Sequence, residues 1–277
     1  MKVAYHLLIF LLALSSSLCF AADPNKKLER AVARCNSIEI KNWLEKGANP
    51  SIVVNGKPAV IKCFDSYDAV ETLIKHGADV NAKYGDNNEP VLSTAGRNST
   101  YVVVKMMVDA GADVNQVDKY NRDALYNIAR HEKGYNSLKL LLQKGALANR
   151  MTNTGKTALM EAAGDGNVAN SELLIQHGAN VNSLNDKNQS ALFYAVSREH
   201  VAVVQVLLKN GANPNISSKT TLTTPLMTAV STGNSYLVEE LLKYKADKTA
   251  KDNLGGTALT RAQLAKKYHI LDLLQKD

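Results

Sequence analysis

Thr157-Ala158-Leu159-Met160-Glu161-Ala162-Ala163, then Gly166-Asn167, then Leu173-Leu174-Ile175, then Gly178-Ala179-Asn180-Val181-Asn182, is the stretch that decides the fold. Thr157 suits a helix N-cap, because its hydroxyl can accept an orphan backbone N–H. Leu159, Ala162 and Ala163 place one apolar stripe on a short helix. Gly166 permits a tight reversal. A second helix carries Leu173, Leu174 and Ile175, and Gly178 ends it in the left-handed conformation. Residues 180–185 are polar and turn-forming, which predicts an extended hairpin or loop.

The closing tripeptide recurs. It stands at Gly47-Ala48-Asn49, Gly77-Ala78-Asp79, Gly111-Ala112-Asp113, Gly178-Ala179-Asn180 and Gly211-Ala212-Asn213, with worn copies at Gly145-Ala146-Leu147 and Lys245-Ala246-Asp247. From Gly77 the steps are 34, 34, 33, 33 and 34 residues. Self-similarity at that period means stacked units that bury apolar faces against their neighbours. Leu28, Leu92, Leu125, Leu159, Leu192, Leu226 and Leu259 are equivalent, each opening a unit. A poor copy over residues 58–77 brings the count to about eight, and it is three residues short. The unit at Leu125 carries one extra residue within 131–135. Arg261, Gln263, Lys266, Lys267, Gln275 and Lys276 predict a polar outer cap on the last unit.

This unit resembles the ankyrin repeat. Thr224-Pro225-Leu226-Met227 carries the Thr-Pro-Leu core of that family's pattern, and Val80-Asn81, Val114-Asn115 and Val181-Asn182 match its Val-Asn step. The family's His after Thr-Pro-Leu is absent: Ser93, Tyr126, Met160, Phe193, Met227 and Thr260 stand there. The resemblance implies an all-α repeat solenoid of helix-turn-helix units with short β-hairpin loops, extending over residues 22–277. It also implies a protein partner, held on the hairpin tips and the inner helix surface.

Residues 1–21 stand apart. Lys2 precedes an apolar stretch at 7–14, and small residues lead to Cys19-Phe20-Ala21. This is the layout of a secretory signal peptide cleaved after Ala21, and it is too short for a spanning anchor. A lipidated Cys19 is the alternative, but Leu18 before it is larger than such sites normally allow. The leader's brevity points to secretion across the inner membrane into a bacterial periplasm. Three sequons, at Asn98, Asn188 and Asn215, match the glycosylation pattern. In an oxidising compartment Cys35 and Cys63 either pair or remain two small buried residues, Cys35 standing where a unit would have its mid-unit glycine.

There are 33 Lys and Arg against 26 Asp and Glu, a net charge of +7 that falls by one when Lys2 leaves with the leader. That excess favours an acidic partner. With no basic run and no aromatic interleaving, it does not indicate nucleic acid. The sequence holds no Cys-x-x-Cys, His-Glu-x-x-His, phosphate loop or Gly-x-Ser-x-Gly, so no catalytic, metal or cofactor site is expected. His76 and His177 share one slot at a helix C-terminus, where a cation is favourable, while His131 and His269 escape the pattern. Residues 118–123 lack the glycine and distal Glu of a calcium loop and are expected to be a hairpin tip.

The phase of the repeat places the binding face. Before the inter-helix turns come Arg97 and Asn98, Arg130 and His131, Gly164 and Asp165, Ser197 and Arg198, and Ser231 and Thr232. In the hairpins come Tyr84, Lys119, Tyr120, Arg122, Lys156, Lys187 and Gln189. Arg and Tyr are the residue types that dominate interface energetics. The expected function is a non-enzymatic binding module, in its most concrete form an immunity or inhibitor protein that plugs an acidic toxin or lipase with its concave face. A periplasmic scaffold supporting envelope or oxidative-stress enzymes is the alternative.

Overall fold

The computed structural model describes residues 23–97 and 101–276, so the predicted leader and the Asn98 sequon lie outside the described residues. The helices come in pairs. The first body, ending at Val80, holds α1 (Pro24–Ala33) with α2 (Ser37–Glu45) and α3 (Ala59–Lys62) with α4 (Tyr67–Lys75). The short copy seen in the sequence is visible here as the single turn of α3. The second body begins at Asn81 and holds six pairs. They are α5 (Val91–Arg97) with α6 (Tyr101–Asp109), α7 (Ala124–Ala129) with α8 (Tyr135–Gln143), and α9 (Ala158–Gly164) with α10 (Val168–Gln176). Then follow α11 (Ala191–Ser197) with α12 (Val201–Lys209), α13 (Pro225–Thr232) with α14 (Ser235–Lys243), and α15 (Ala258–Leu264) with α16 (Tyr268–Gln275).

The helices start where side chains satisfy their first N–H groups. Thr157, Ser190, Thr224 and Thr257 each accept from the backbone N–H three residues on, and Asp123 does so on α7. They stop at the repeated glycine. Gly178 sits at φ 84°, its N–H bonding to Ile175 O, while Ala179 N bonds to Leu174 O. His76 and His177 close on the carbonyls of Thr72 and Leu173 at 2.8 and 3.0 Å. Several of the reversals between paired helices also take a positive φ. Gly166 supplies it at 77°, whereas Glu199, Lys266 and Cys35 adopt it as non-glycine residues.

The core lies between stacked pairs. Leu28, Leu92, Leu125, Leu159, Leu192 and Leu226 are buried, as is Leu174, while Leu259 in the last pair is only half-buried. The extra residue after Arg130 is taken up by a 3-10 turn over Glu132–Gly134. The last pair is polar only in part: Leu264 and Tyr268 are 86% and 69% exposed.

The hairpins differ from expectation in one respect. Among the described residues strands pair only at β1 (Val53–Val54) with β2 (Lys57–Pro58) and at β3 (Lys83–Tyr84) with β4 (Glu89–Pro90), both antiparallel. The later loops close on single bonds such as Asp118 N to Arg122 O and Thr152 N to Lys156 O. A side chain at the start of the loop replaces the ladder. Asp118 Oδ1 accepts from Tyr120 N and Arg122 N, and Asn185 Oδ1 accepts from Lys187 N and Gln189 N. Residues 118–123 thus form the expected tip, folded round Asp118.

Two sets of bonds tie each unit of the second body to the next. Successive tips are joined backbone to backbone: Lys119 N to Asn87 O, Asn153 N to Tyr120 O, Asp186 N to Thr154 O, Lys219 N to Lys187 O and Asn253 N to Thr221 O. The second set is made by the Asn of the Val-Asn step and its equivalents. Asn115 donates to Gly145 O and accepts from Leu147 N. Asn149, Asn182 and Asn215 repeat the same pair of bonds one unit further on.

Candidate protein-binding face

Tyr120, Arg122 and Lys156 are brought together. With Tyr126, Thr152, Asn153 and Thr154 they line an open cavity of about 280 Å³ between two successive loop tips. The ring of Tyr120 is flanked by cations, with Lys119 Nζ at 5.1 Å and the Arg122 guanidinium at 4.8 Å. Lys156 Nζ lies 5.2 Å from the ring of Tyr194, whose hydroxyl is held by Asn185 Nδ2 at 2.9 Å. One repeat's cation thus meets the next repeat's aromatic.

The cations are not bare. Arg122 pairs with buried Asp118 at 2.6 Å, Lys156 with Glu161 at 3.0 Å, and Arg97 with Glu89. Arg130 and Arg198 meet on one carboxylate, Asp165, at 3.2 and 2.6 Å, and Arg198 also donates to Gly164 O at 2.8 Å. The face is a compensated network rather than a plain basic stripe. Its excess positive charge sits on Arg130 and Arg198, which share the single carboxylate of Asp165, and on the exposed Lys119 and Lys187.

Other residues of the expected face are engaged elsewhere. Tyr84 is half-buried, its hydroxyl 2.8 Å from Thr94 Oγ1 within its own repeat. Lys119 Nζ donates back to Asp86 O at 3.2 Å. His131 turns inward: its Nε2 is buried with no protein partner, and its carbonyl accepts from Asn170 Nδ2. Burial first, and the neighbouring Arg130 second, push its pKa below the ordinary histidine range.

The face expected from the sequence did not include Tyr126, Glu161 or Tyr194. Tyr126 OH donates to Glu161 at 2.8 Å, and burial, reinforced by the Glu161 charge, raises its pKa far above the usual phenol range. The available signal was phase, since Glu161 and Tyr194 both stand four residues after their helix caps Thr157 and Ser190.

The pattern of three ankyrin repeats matches residues 59–152 and again 125–218, and that of a single ankyrin repeat matches 222–253, together more than half of the chain. The chain belongs to the ankyrin repeat family. Ankyrin repeats are an interaction scaffold, so the protein is a protein–protein interaction module of all-α repeat architecture. Its fold is similar to that of the ankyrin repeat domain of Bcl-3, a member of the IkappaB family, with a TM-score of 0.66 at 22% identity over 78% of this chain and 97% of that one. No curated protein matches the sequence significantly.

The absence of the family's His now has a physical reading. Where the family has its His, Met160 and Met227 are buried and apolar, and Tyr126 turns to Glu161. The tip-to-tip backbone bonds join neighbouring loops without that side chain. Two of the sequons are also occupied structurally. Asn188 Nδ2 donates to Ser217 O at 2.7 Å and Asn215 Nδ2 to Lys245 O at 3.1 Å, so a glycan on either would have to be placed on a nitrogen already engaged between repeats. Among the described residues no group of three or more His, Cys, Asp or Glu is placed to hold a metal ion, and no helix is long and apolar enough to cross a membrane.

Proposed function

We propose that this ankyrin-repeat protein is exported to a periplasmic space and holds an acidic partner protein against the face formed by Tyr120, Arg122, Arg130, Lys156 and Arg198. The observation that carries the reading is the open cavity at Tyr120, where cations and aromatic rings from two successive repeats meet and from which Lys156 reaches on to the Tyr194 ring of the next. Such a row offers rigid apolar area and charge together, which is the composition of interface hot spots. Asp165 carries two guanidinium groups, so a partner carboxylate can share one of them without stripping the other. In its most concrete form the module is an immunity or inhibitor protein that occludes a toxin or lipase. Export is supported by the Cys35–Cys63 disulfide in the first body, with Cα atoms 5.3 Å apart, since such bonds persist in oxidising compartments.

The test is affinity capture from periplasmic extract with wild type, Tyr120→Ala and Arg198→Glu proteins side by side, read by mass spectrometry. A specific partner should be retained by wild type and depleted by both variants. A partner retained equally by all three would place the contact on another surface.

A further inference from the structure

The worn copy Gly145-Ala146-Leu147 breaks the repeat's own rule. At the position of Leu147 the other units have Asn49, Asp79, Asp113, Asn180, Asn213 and Asp247. In most of them the side chain accepts from the backbone N–H two residues on: Asn49 from Ser51, Asp113 from Asn115, Asn180 from Asn182, Asn213 from Asn215 and Asp247 from Thr249, at 2.7–2.9 Å. Leu147 cannot make this bond, and it is 53% exposed. The next residue is Ala148, where neighbouring units have the larger Val114, Val181 and Pro214. Met151, three residues further, is 41% exposed. An intra-turn hydrogen bond is thus given up, an apolar side chain is turned to solvent, and a side chain that fills space in other units is shortened. The lost turn bond and the exposed apolar side chains have no evident gain within the chain, and departures from local rules are expected at functional sites.

These changes fall on one groove. A cavity of about 650 Å³ is lined by Ala146, Leu147, Ala148, Asn149, Arg150 and Met151, together with Asn121 and His177. It is distinct from the cavity of the proposed binding face: Tyr120 and Arg122 line that one, whereas Asn121 between them lines this one. No carboxylate lines the groove. Its ionisable groups are the Arg150 guanidinium, paired with the buried carboxylate of Asp123 at 3.0 Å, and the His177 imidazole.

We infer that this groove is a second docking site, and that it takes a segment of a partner protein in which an apolar side chain stands next to a carboxylate. Leu147, Met151 and the Ala148 gap receive the apolar group. The carboxylate complements the Arg150 guanidinium, which it would share with Asp123, and the His177 imidazole.

The test measures binding of the intact protein to two short fluorescent peptides, one alternating Leu with Glu and one alternating Leu with Lys. The Leu–Glu peptide should bind and the Leu–Lys peptide should not. Leu147→Asn restores the residue type of the other units and should weaken the Leu–Glu peptide about tenfold or more, the scale of one lost buried leucine. The same variant should keep or raise Tm, because it regains the turn bond, and a binding loss accompanied by a fall in Tm would mean that Leu147 is structural. Met151→Ser, the residue found at Ser217, provides a second variant that adds no charge and should weaken the same peptide. The inference is overturned if the Leu–Glu peptide does not bind wild type at millimolar concentration, or if both peptides bind alike. It is also overturned if Leu147→Asn leaves affinity unchanged. Self-association or binding to anionic vesicles that is lost in Leu147→Asn would assign the groove to a second copy or to a lipid surface instead.

Discussion

Asn182 is the place to test how the repeats are coupled. Its Oδ1 accepts from Asn213 N at 2.8 Å and its Nδ2 donates to Gly211 O at 3.0 Å, so one side chain makes two bonds to the following repeat. Asn182→Ala deletes both. Net contributions of such bonds are about 0.5–1.5 kcal/mol each, and exposed Asn213 and Gly211 can turn to water, so about 1–2 kcal/mol in sum is expected. For a body of this size that lowers Tm by about 2–8 °C. Asn182→Asp is the sharper variant. It keeps the acceptor for Asn213 N but points a carboxylate oxygen at Gly211 O, so it should be no better than Ala despite its matching shape. Thermal unfolding followed by circular dichroism gives Tm, and amide exchange at Asn213 reports the bond itself. Exchange should quicken at Asn213 in the Ala variant and stay slow in the Asp variant. A wild-type Tm in both variants, or an Asp variant as stable as wild type, would refute the reasoning.

Leu174→Ala should cost about 2–5 kcal/mol, because Leu174 is fully buried between stacked pairs. Its hydrogen-exchange effects should concentrate in the neighbouring units, and a uniform rise across the second body would contradict nearest-neighbour coupling. Reducing Cys35–Cys63, which are 28 residues apart, should destabilise the first body by about 3–4 kcal/mol in the chain-entropy picture. Urea unfolding with and without reductant measures that cost, while two free thiols in denatured, unreduced protein taken from the periplasm would remove the bond altogether. Arg130→Glu with Arg198→Glu should slow association with an acidic partner and weaken its salt dependence, and Tyr120→Ala should act on dissociation. Lys209→Glu and Lys243→Glu serve as matched controls for binding kinetics, and equal damage from them would displace the site. His131 has a folded-state pKa below its unfolded one, so the unfolded chain binds the proton first and stability falls as pH drops through the ordinary histidine range. His131→Asn should flatten that part of a urea-stability profile taken between pH 8 and pH 5.5, values that bracket the unperturbed pKa of about 6.5, and an unchanged slope would exclude the residue.

What could be read from the sequence was whatever is local. Thr157, Thr224 and Thr257 announce helix starts within four residues, and Gly178 announces a stop, because caps are satisfied by adjacent backbone. The short copy before Gly77 and the extra residue after Arg130 were visible as spacing and appear as a one-turn helix and a 3-10 turn. The charge state of the binding face was not legible. Arg130 and Asp165 are 35 residues apart, as are Tyr126 and Glu161, and Arg198 and Asp165 are 33 apart. A linear reading treats such residues as unrelated, although one repeat period brings them face to face. The Val-Asn step is recognisable as a motif, but its role lies in atoms of the following unit, 29 and 31 residues away for Asn182.

The interchangeability of those joining bonds has a genetic consequence. Asn149 holds Gly178 O and Asn180 N, and Asn182 holds Gly211 O and Asn213 N, with the same two atoms of the side chain. Thr154 O receives Asp186 N just as Lys187 O receives Lys219 N. If residues 157–189 were excised as a block, Asn149 would find Gly211 and Asn213 waiting, and Thr154 would find Lys219. An unequal crossover between two copies therefore yields a chain whose joints still close. The gene can lengthen or shorten by whole periods, and the spacing between binding features can change in steps without a new seam having to evolve.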